Sequence, residues 1–183
     1  MRIISGSKKG AVIRAPKNLP VRPTMDKNKE SLFNILHNYF HFEEMDVLDL
    51  FAGTGNVSYE FASRGARSIV AVDSHPGCTK FISTQAKQLE FEMIEVLRNE
   101  VFRHLRNEYR SYDFVYADPP FSKFKPGQYQ ELAELIFERQ VLKPEGWLVM
   151  EHPSNVSLSE VQHFHEERAF GQCIMSFFIM PEK

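Results

Sequence analysis

Short apolar segments alternate with helical patterns from about residue 46 onward, and this alternation constrains the fold more than any other feature. The strand-like segments are VLDLF, SIVAVD, FEMIEVL, FVYAD and WLVMEH. The helical segments between them are NVSYEFASRG, GCTKFISTQAKQL, EVFRHLRNEY and QYQELAELIFERQ. Strands that are apolar on both faces need helices on both sides, so we expect an α/β protein with a mostly parallel sheet.

The C-terminal part of the chain departs from this alternation. Residues 160–170 and 172–180 each alternate between apolar and polar side chains and meet at Gly171. This pattern predicts an antiparallel hairpin at the edge of the sheet, which brings the expected number of strands to seven.

The N-terminal part predicts a small extension. RIIS and AVIRA, joined by a Gly-Ser-Lys-Lys-Gly turn, are typical of a β-hairpin, and the proline-rich residues 15–24 are typical of a linker. Apolar residues at helical spacing then predict a helix over about 25–40. We therefore expect a hairpin-and-linker unit at 1–24 and a main domain at 25–183.

Length and composition exclude several classes of protein. The 183 residues are enough for one domain with a small appendage, and 43% hydrophobic with 25% charged residues excludes disorder and coiled coils. Cys78 and Cys173 are the two cysteines, and no zinc-ligand spacing is present. With no signal or membrane-spanning segment, we expect a reduced, cytoplasmic, monomeric protein that needs neither a metal nor a membrane.

Charge is unevenly distributed along the chain. Residues 1–30 carry eight Lys or Arg against two Asp or Glu, a formal +6, so the remainder carries −8 of the total −2. This asymmetry favours a polyanion-binding N-terminal end, and the alternative is a basic segment that is merely solvated. The candidate RNA-binding residues are Arg2, Lys8, Lys9, Arg14, Lys17 and Arg22.

A glycine turn follows the first strand of the main domain, in the sequence DLFAGTG. Gly53 and Gly55 allow the backbone to approach a ligand closely, and the next helix offers free N–H groups. Asp49 would repel a pyrophosphate, and Ser58 stands where the dinucleotide pattern needs a third glycine. S-adenosylmethionine carries an ammonium and a sulfonium group and no phosphate, so it suits this acid. The alternative is a structural turn with a capping acid.

Two further strand ends carry candidate cofactor residues. Asp73 ends the second strand, near the interval at which an acid reaches a ribose in nucleotide-binding units, although it is also a possible helix cap. Asn99 and Glu100 follow the third strand, where they either contact the adenine edge or begin a helix.

The fourth strand ends in Asp118, Pro119, Pro120 and Phe121. Two successive prolines lack N–H donors and keep the turn extended, so the aspartate and neighbouring carbonyls present acceptors alone. Such a site fits an exocyclic amine, whose two hydrogens need acceptors, and Phe121 offers a ring on which a base can stack. The alternative is an ordinary turn from strand to loop.

These motifs together carry a resemblance to a known family. DLFAGTG, the Asp73 strand end and ADPPF resemble class I S-adenosylmethionine-dependent methyltransferases that modify amines. MRIISGSKKG, RPTMDKNKESLFNIL, FASRGA and RAFGQCIMSFF further resemble the RsmD family, which methylates the N2 amine of a guanine in 16S ribosomal RNA. The resemblance implies a Rossmann-like fold, S-adenosyl-L-methionine as cofactor, and 16S ribosomal RNA or a small-subunit particle as partner.

By position, the resemblance places the catalytic motif on Asp118–Phe121. The cofactor contacts that it implies are Thr24, Asp49, Phe51, Gly53, Gly55, Asp73, Ser74 and Glu100. Two alternatives remain open: an N6-adenine DNA methyltransferase, against which the lack of room for a DNA-recognition domain argues, and a non-catalytic RNA-binding assembly factor.

Overall fold

The computed structural model describes residues 1–16, 19, 26–171 and 173–182. The helices are α1 (Asp26–Leu36), α2 (Asn56–Ser63), α3 (Pro76–Gln88), α4 (Val101–Arg106) and α5 (Pro126–Glu138). The strands are β1 (Asp46–Leu50), β2 (Ser68–Asp73), β3 (Ile94–Arg98), β4 (Tyr112–Ala117), β5 (Leu142–Pro153), β6 (Phe164–Phe170) and β7 (Cys173–Ile179). No helix in these ranges is both long and apolar enough to cross a membrane.

All seven strands form one sheet in the order β3-β2-β1-β4-β5-β7-β6. The strands β1 to β5 pair in parallel, whereas β7 pairs antiparallel with both β5 and β6. The predicted α/β architecture, with seven strands and an antiparallel C-terminal hairpin, is confirmed.

The sheet separates two hydrophobic clusters, as expected for strands that are apolar on both faces. Val47 and Phe114 point into the cluster that α1, α2 and α3 cover, and Leu48 and Val115 point into the cluster that α4 and α5 cover. All four side chains are fully buried. Burial on both sides fixes the register, because a shift of one residue would exchange the two faces of a strand.

The helix predicted over 25–40 is shorter than expected, because α1 ends at Leu36. The chain then turns, with the N–H of Tyr39 donating to the carbonyl of Leu36. This turn brings Tyr39 and Phe40 against Trp147, with ring centroids 4.7 and 5.4 Å away. Apolar spacing alone does not distinguish such a turn from a further turn of helix.

The N-terminal hairpin is also less regular than predicted, since RIIS and AVIRA share one isolated antiparallel bridge, Arg2 to Val12. The ladder stops because the N–H groups of Ile4 and Ser5 donate to the carboxylate of Glu60 in α2, at 2.8 and 3.0 Å. A side chain of the main domain thus takes the place of a partner strand.

The N-terminal segment lies along α2 and shares its hydrophobic core. Ile3 and Ile13 are buried in the cluster that α1 and α2 cover. Met1 contacts Thr54 in the glycine turn, and Ser7 donates to the carbonyl of Ser63 at the other end of α2. The predicted boundary between 1–24 and 25–183 stays a prediction, because most of the intervening segment lies outside the described residues.

Candidate active site

Four acidic side chains lie at or next to the carboxyl ends of neighbouring parallel strands: Asp49, Asp73, Asp118 and Glu151. In the sheet, Asp49 of β1 pairs with Ala71 of β2 on one side and with Tyr116 of β4 on the other. The order β2-β1-β4 is the point where the strand order reverses, and ligands bind there in open α/β sheets.

The glycine turn leaves β1 with an unusual backbone. Phe51, Gly53 and Gly55 all have positive φ, at 60°, 57° and 79°. For the non-glycine Phe51 this is a strained conformation that costs about 1–3 kcal/mol, and such strain clusters at ligand-binding positions. Gly55 is the N-cap of α2, so the turn delivers the helix N-terminus to the site.

Asp49 lies buried beneath this turn. The hydroxyl of Ser58 donates to its Oδ2 at 2.5 Å, and the backbone N–H of Ser58 also donates to the carboxylate. The pKa of Asp49 is raised to about 7, mainly because burial disfavours the ionised carboxylate. The hydrogen bonds from Ser58 oppose this shift, and the charge of Asp73 contributes to it. Asp49 therefore caps the first turn of α2, which was one of its two predicted functions. A nearby cation would favour the ionised form of this carboxyl group.

Asp73 ties the glycine turn to the next helix. Its Oδ2 accepts from the N–H of Gly53 at 2.8 Å, and its Oδ1 accepts from the N–H of His75 at 2.7 Å. An ionised carboxylate has about four lone-pair sites, so two backbone donors leave room for ribose hydroxyls. Ser74, beside it, is exposed.

Glu100 is the N-cap of α4, which confirms the prediction that a helix begins here. Its Oε1 accepts from the N–H of Phe102 at 3.1 Å and its Oε2 from the N–H of Arg103 at 2.9 Å. Asn99 lies beside the β2 end, because its N–H donates to the carbonyl of Asp73. Contact between Glu100 and adenine stays a prediction, and it would have to coexist with the cap.

The Asp118 motif forms a turn whose two proline carbonyls differ. The carbonyl of Pro120 accepts from the N–H groups of Lys123 and Phe124, at 2.9 and 3.0 Å. In the described part of the chain, the carbonyl of Pro119 accepts no hydrogen bond. Pro119 is buried, whereas Asp118 and Phe121 are half-buried, so each of these two residues keeps part of its surface exposed.

Sequence reasoning missed a group of polar side chains around Asp118. The hydroxyl of Tyr116 donates to Oε1 of Glu151, and both side chains are buried. Burial, with the charges of Glu151 and Asp118, holds the pKa of Tyr116 well above its ordinary value. Burial and the charge of Asp118 raise the pKa of Tyr129 to about 12, and no described residue bonds its buried hydroxyl. Glu151 lies near the end of β5, so the strand-end rule applied above could have found it.

Phe124 was also missed, although it holds the loop after β4 in place. Its ring lies 5.5 Å from Phe51, 6.0 Å from Phe102 and 4.8 Å from Tyr129, measured between centroids. The loop that follows Asp118 is therefore packed against the glycine turn, α4 and α5. An apolar residue between two lysines, in the sequence SKFK, was the available signal.

The predicted RNA-binding residues fall into separate places. Arg2 and Arg14 are exposed near the glycine turn, where the N-terminal segment contacts Thr54. Lys8 lies at the far end of α2, where its Nζ pairs with Glu90 at 2.8 Å, and Lys9 follows it. Lys17, Arg22 and the predicted cofactor residue Thr24 lie outside the described residues.

Gly55→Ala is expected to destabilise the glycine turn beyond the effect of backbone strain. A Cβ at Gly55 would lie 2.8 Å from Cζ of Tyr59, whereas one at Gly10, also at positive φ, would meet no atom within 4 Å. Gly10→Ala should cost about 1–2 kcal/mol for the left-handed backbone, and Gly55→Ala more, because Tyr59 must move. Urea unfolding of both variants measures the difference, and equal losses would show that Tyr59 gives way freely.

Comparison with known proteins identifies relatives over nearly the whole chain. The family described as Conserved hypothetical protein 95 matches residues 1–179. The chain is 37% identical over 164 residues to the Bacillus subtilis protein YlbH, covering 87% of this chain and 86% of YlbH. It is 26% identical over 175 residues to Ribosomal RNA small subunit methyltransferase D of Escherichia coli K12, covering 94% and 86%.

Solved structures show the same fold. The Escherichia coli protein yhhF matches with a TM-score of 0.85 at 23% identity, covering 100% of this chain and 99% of that chain. The RNA methyltransferase from Salinibacter ruber, in complex with S-adenosyl-L-homocysteine, matches with a TM-score of 0.68 at 17% identity, covering 88% and 95%. The chain belongs to the Conserved hypothetical protein 95 family, the RsmD-type S-adenosylmethionine-dependent methyltransferases, and has their Rossmann-like fold.

Proposed function

We propose that this protein transfers a methyl group from S-adenosylmethionine to the exocyclic N2 amine of a guanine in 16S ribosomal RNA. The observation that carries the proposal is the acceptor pair at the end of β4, the carboxylate of Asp118 beside the carbonyl of Pro119. The Escherichia coli relative named for the small ribosomal subunit supports the choice of 16S RNA.

The cofactor would be held by residues at the ends of β1 and β2. Asp73 keeps lone pairs for the ribose hydroxyls, and the buried Asp49 favours the cofactor's ammonium group. The positive-φ backbone of Gly53 and Gly55 allows close approach of a ligand. When bound, S-adenosylmethionine supplies an electrophilic methyl group on its sulfonium.

The nucleophile is the guanine amine, which is weak because its lone pair is delocalised into the ring. Hydrogen bonds from its two hydrogens to the Asp118 carboxylate and the Pro119 carbonyl favour a pyramidal nitrogen. They also stabilise the positive charge that develops as the nitrogen attacks. The methylated ammonium then releases a proton to Asp118 or to water, so positioning carries most of the rate.

The target guanine has to leave its stack to reach this pocket, because a paired base keeps its amine inside the helix. Phe121 is half-buried beside Asp118 and offers a ring on which the extruded base can stack. Phe124 keeps this loop against the glycine turn through its contact with Phe51. The base and the cofactor would thus meet between the ends of β1 and β4.

Incubation of the purified protein with labelled S-adenosylmethionine and either naked 16S RNA or isolated small subunits tests this proposal. The RNA should come from a strain that lacks the gene, so that the target is unmodified. Mass mapping should place one methyl group on N2 of one guanine. Methylation of an adenine, or of no nucleotide in either substrate, would contradict the proposed function. Cofactor binding without methyl transfer would favour a non-catalytic assembly factor.

Cofactor affinity is expected to depend on pH through Asp49. The pKa of Asp49 is raised to about 7, so below that pH the folded, unliganded protein holds this carboxyl group in its neutral form. The contribution of Asp49 to the free energy of unfolding therefore falls as the pH rises from about 4 through 7. The cofactor's ammonium favours the ionised form, so affinity should rise up to tenfold per pH unit below 7 and level off above it. Titration calorimetry with S-adenosylhomocysteine between pH 5.5 and 8.5 measures this.

The matched control for this pH dependence is Asp49→Asn, which preserves the shape of the side chain and cannot ionise. Its affinity should be lower and nearly constant over the same range. A wild-type profile that is flat, or a variant that keeps the slope, would assign the pH dependence to another group and remove Asp49 from the cofactor's ammonium site.

A further inference from the structure

The basic turn at residues 6–10 lies at the edge of the sheet opposite to Asp118, so it is not placed to hold RNA beside the reacting base. Ser7 and Lys8 bond to Ser63, the last residue of α2, and Lys8 pairs with Glu90 between α3 and β3. Both contacts lie at the amino ends of the strands, whereas Asp118 lies at the carboxyl ends. The five residues of β1 separate these edges by about 16 Å.

Exposed basic side chains lie instead at the carboxyl edge, next to the loop that carries Asp118. We call them the α4 basic surface, and they are Arg98, Arg103, Arg106, Lys123 and Lys125. Arg98 ends β3, and the two α4 arginines lie within about 8 Å of the start of that helix along its axis. Lys123 and Lys125 belong to the loop after β4.

Aromatic contacts join the two parts of this surface. Phe124, between the two lysines, stacks on Phe102 of α4 with centroids 6.0 Å apart and planes 14° apart. The guanidinium of Arg106 lies 5.9 Å from the same Phe102 ring. Helix α4, which carries Arg103 and Arg106, is therefore packed against the loop that follows Asp118.

The basic side chains of this surface contrast with other arginines of the protein that pair with carboxylates. Within the part of the chain that the structure describes, none of its five basic side chains forms an ion pair. The nearby acids are already engaged: Glu100 caps α4, and Glu108 pairs with Arg110. Arg64, Arg67 and Arg168, elsewhere on the molecule, all contact carboxylates.

We propose that the α4 basic surface binds the phosphates that flank the target nucleotide and so positions the extruded base over Asp118. This inference rests on the proposed function and identifies where its RNA substrate docks. Arginine matches phosphate geometry with two parallel N–H donors, and phosphate contacts fix register without reading sequence. An extruded nucleotide keeps its neighbours in the backbone, so its flanking phosphates must lie near the pocket.

The test is the salt dependence of RNA binding by the full chain carrying Arg103→Gln and Arg106→Gln. Loss of two phosphate contacts should reduce the slope of log affinity against log salt by about 1.4–1.8. It should also weaken binding of 16S RNA about tenfold or more at 0.1 M salt. The matched control is Lys87→Gln with Arg139→Gln, which removes two exposed charges at the C-terminal ends of α3 and α5, on the amino edge of the sheet, and should leave the slope unchanged.

Affinity for S-adenosylhomocysteine and the midpoint of thermal unfolding should be unchanged in both double variants, which excludes misfolding. An unchanged salt slope in an active, folded α4 variant would overturn the inference while the proposed function stands. Weakened binding to the small subunit with unchanged binding to naked 16S RNA would assign the surface to a protein partner and also overturn it. A reduced slope together with a wild-type protein that methylates no RNA would support the docking surface and overturn the proposed function.

Discussion

Asp118→Ala is expected to lower the rate of methyl transfer about 10²–10³-fold, the loss that follows removal of one preorganised transition-state partner. The variant leaves the amine with the Pro119 carbonyl alone, so half of the acceptor pair is lost at the step where positive charge develops. The rate is measured under single-turnover conditions with saturating cofactor and small subunits.

Asp113→Ala is the matched control for this experiment, because Asp113 lies in the same strand, at its amino end. Its carboxylate pairs with Lys143 and accepts from the N–H of Asp46, both at 2.7 Å and both at the amino edge of the sheet, so the rate should stay within about twofold of wild type. S-adenosylhomocysteine affinity should change little in either variant. A folded Asp118→Ala protein with near-normal turnover would refute the amine clamp, even if the protein still methylates ribosomal RNA.

The fold was predictable because its main determinant is local and repeated. The strands β1, β2 and β4 are each a short apolar run, and burial on both faces of a parallel sheet requires such runs. The end of α1 was not predictable, because Tyr39 and Phe40 keep helical spacing but pack on Trp147, more than 100 positions away. Likewise, the N-terminal ladder is interrupted by Glu60, which no local pattern reveals.

The candidate site was predictable where its residues follow from strand ends. Asp49, Asp73 and Asp118 lie at neighbouring carboxyl ends because parallel strands place them there. The additional bonds were not predictable: Gly53 donates to Asp73, and Tyr116 donates to Glu151. Those contacts depend on side-chain directions across strands, which spacing along one chain does not determine.

Lys29 shows most clearly why net charge along a sequence is an incomplete guide. By position it belongs to the basic residues of the N-terminal end, whereas its side chain is completely buried between α1 and α2. Its Nζ donates to the carbonyl of Arg2 at 2.7 Å and to Oδ1 of Asn56 at 2.8 Å, and lies 3.4 Å from Glu60. It therefore joins the N-terminal segment to the first residue of α2, directly after the glycine turn.

Lys29→Met is expected to reduce the free energy of unfolding by about 2–4 kcal/mol, because it removes one of the two cations beside the buried Glu60 carboxylate and leaves two oxygen acceptors without their donor. Methionine fills a similar volume, so the loss reports the missing charge and hydrogen bonds rather than a cavity. Urea unfolding at neutral pH measures it. Lys27→Met, in the same helix but exposed, is the matched control and should change stability by less than about 0.5 kcal/mol.

The double variant Lys29→Met with Glu60→Gln separates the ion pair from the remaining contacts of Glu60. That carboxylate also accepts from the N–H groups of Ile4 and Ser5 and from Arg64, and a glutamine can replace only part of these bonds. The double variant should nevertheless be less destabilised than the sum of the single variants, since each single variant already loses the same contact between Lys29 and Glu60. Strict additivity would mean that Lys29 and Glu60 act independently, and Lys29 would then hold the N-terminal segment through Arg2 and Asn56 alone.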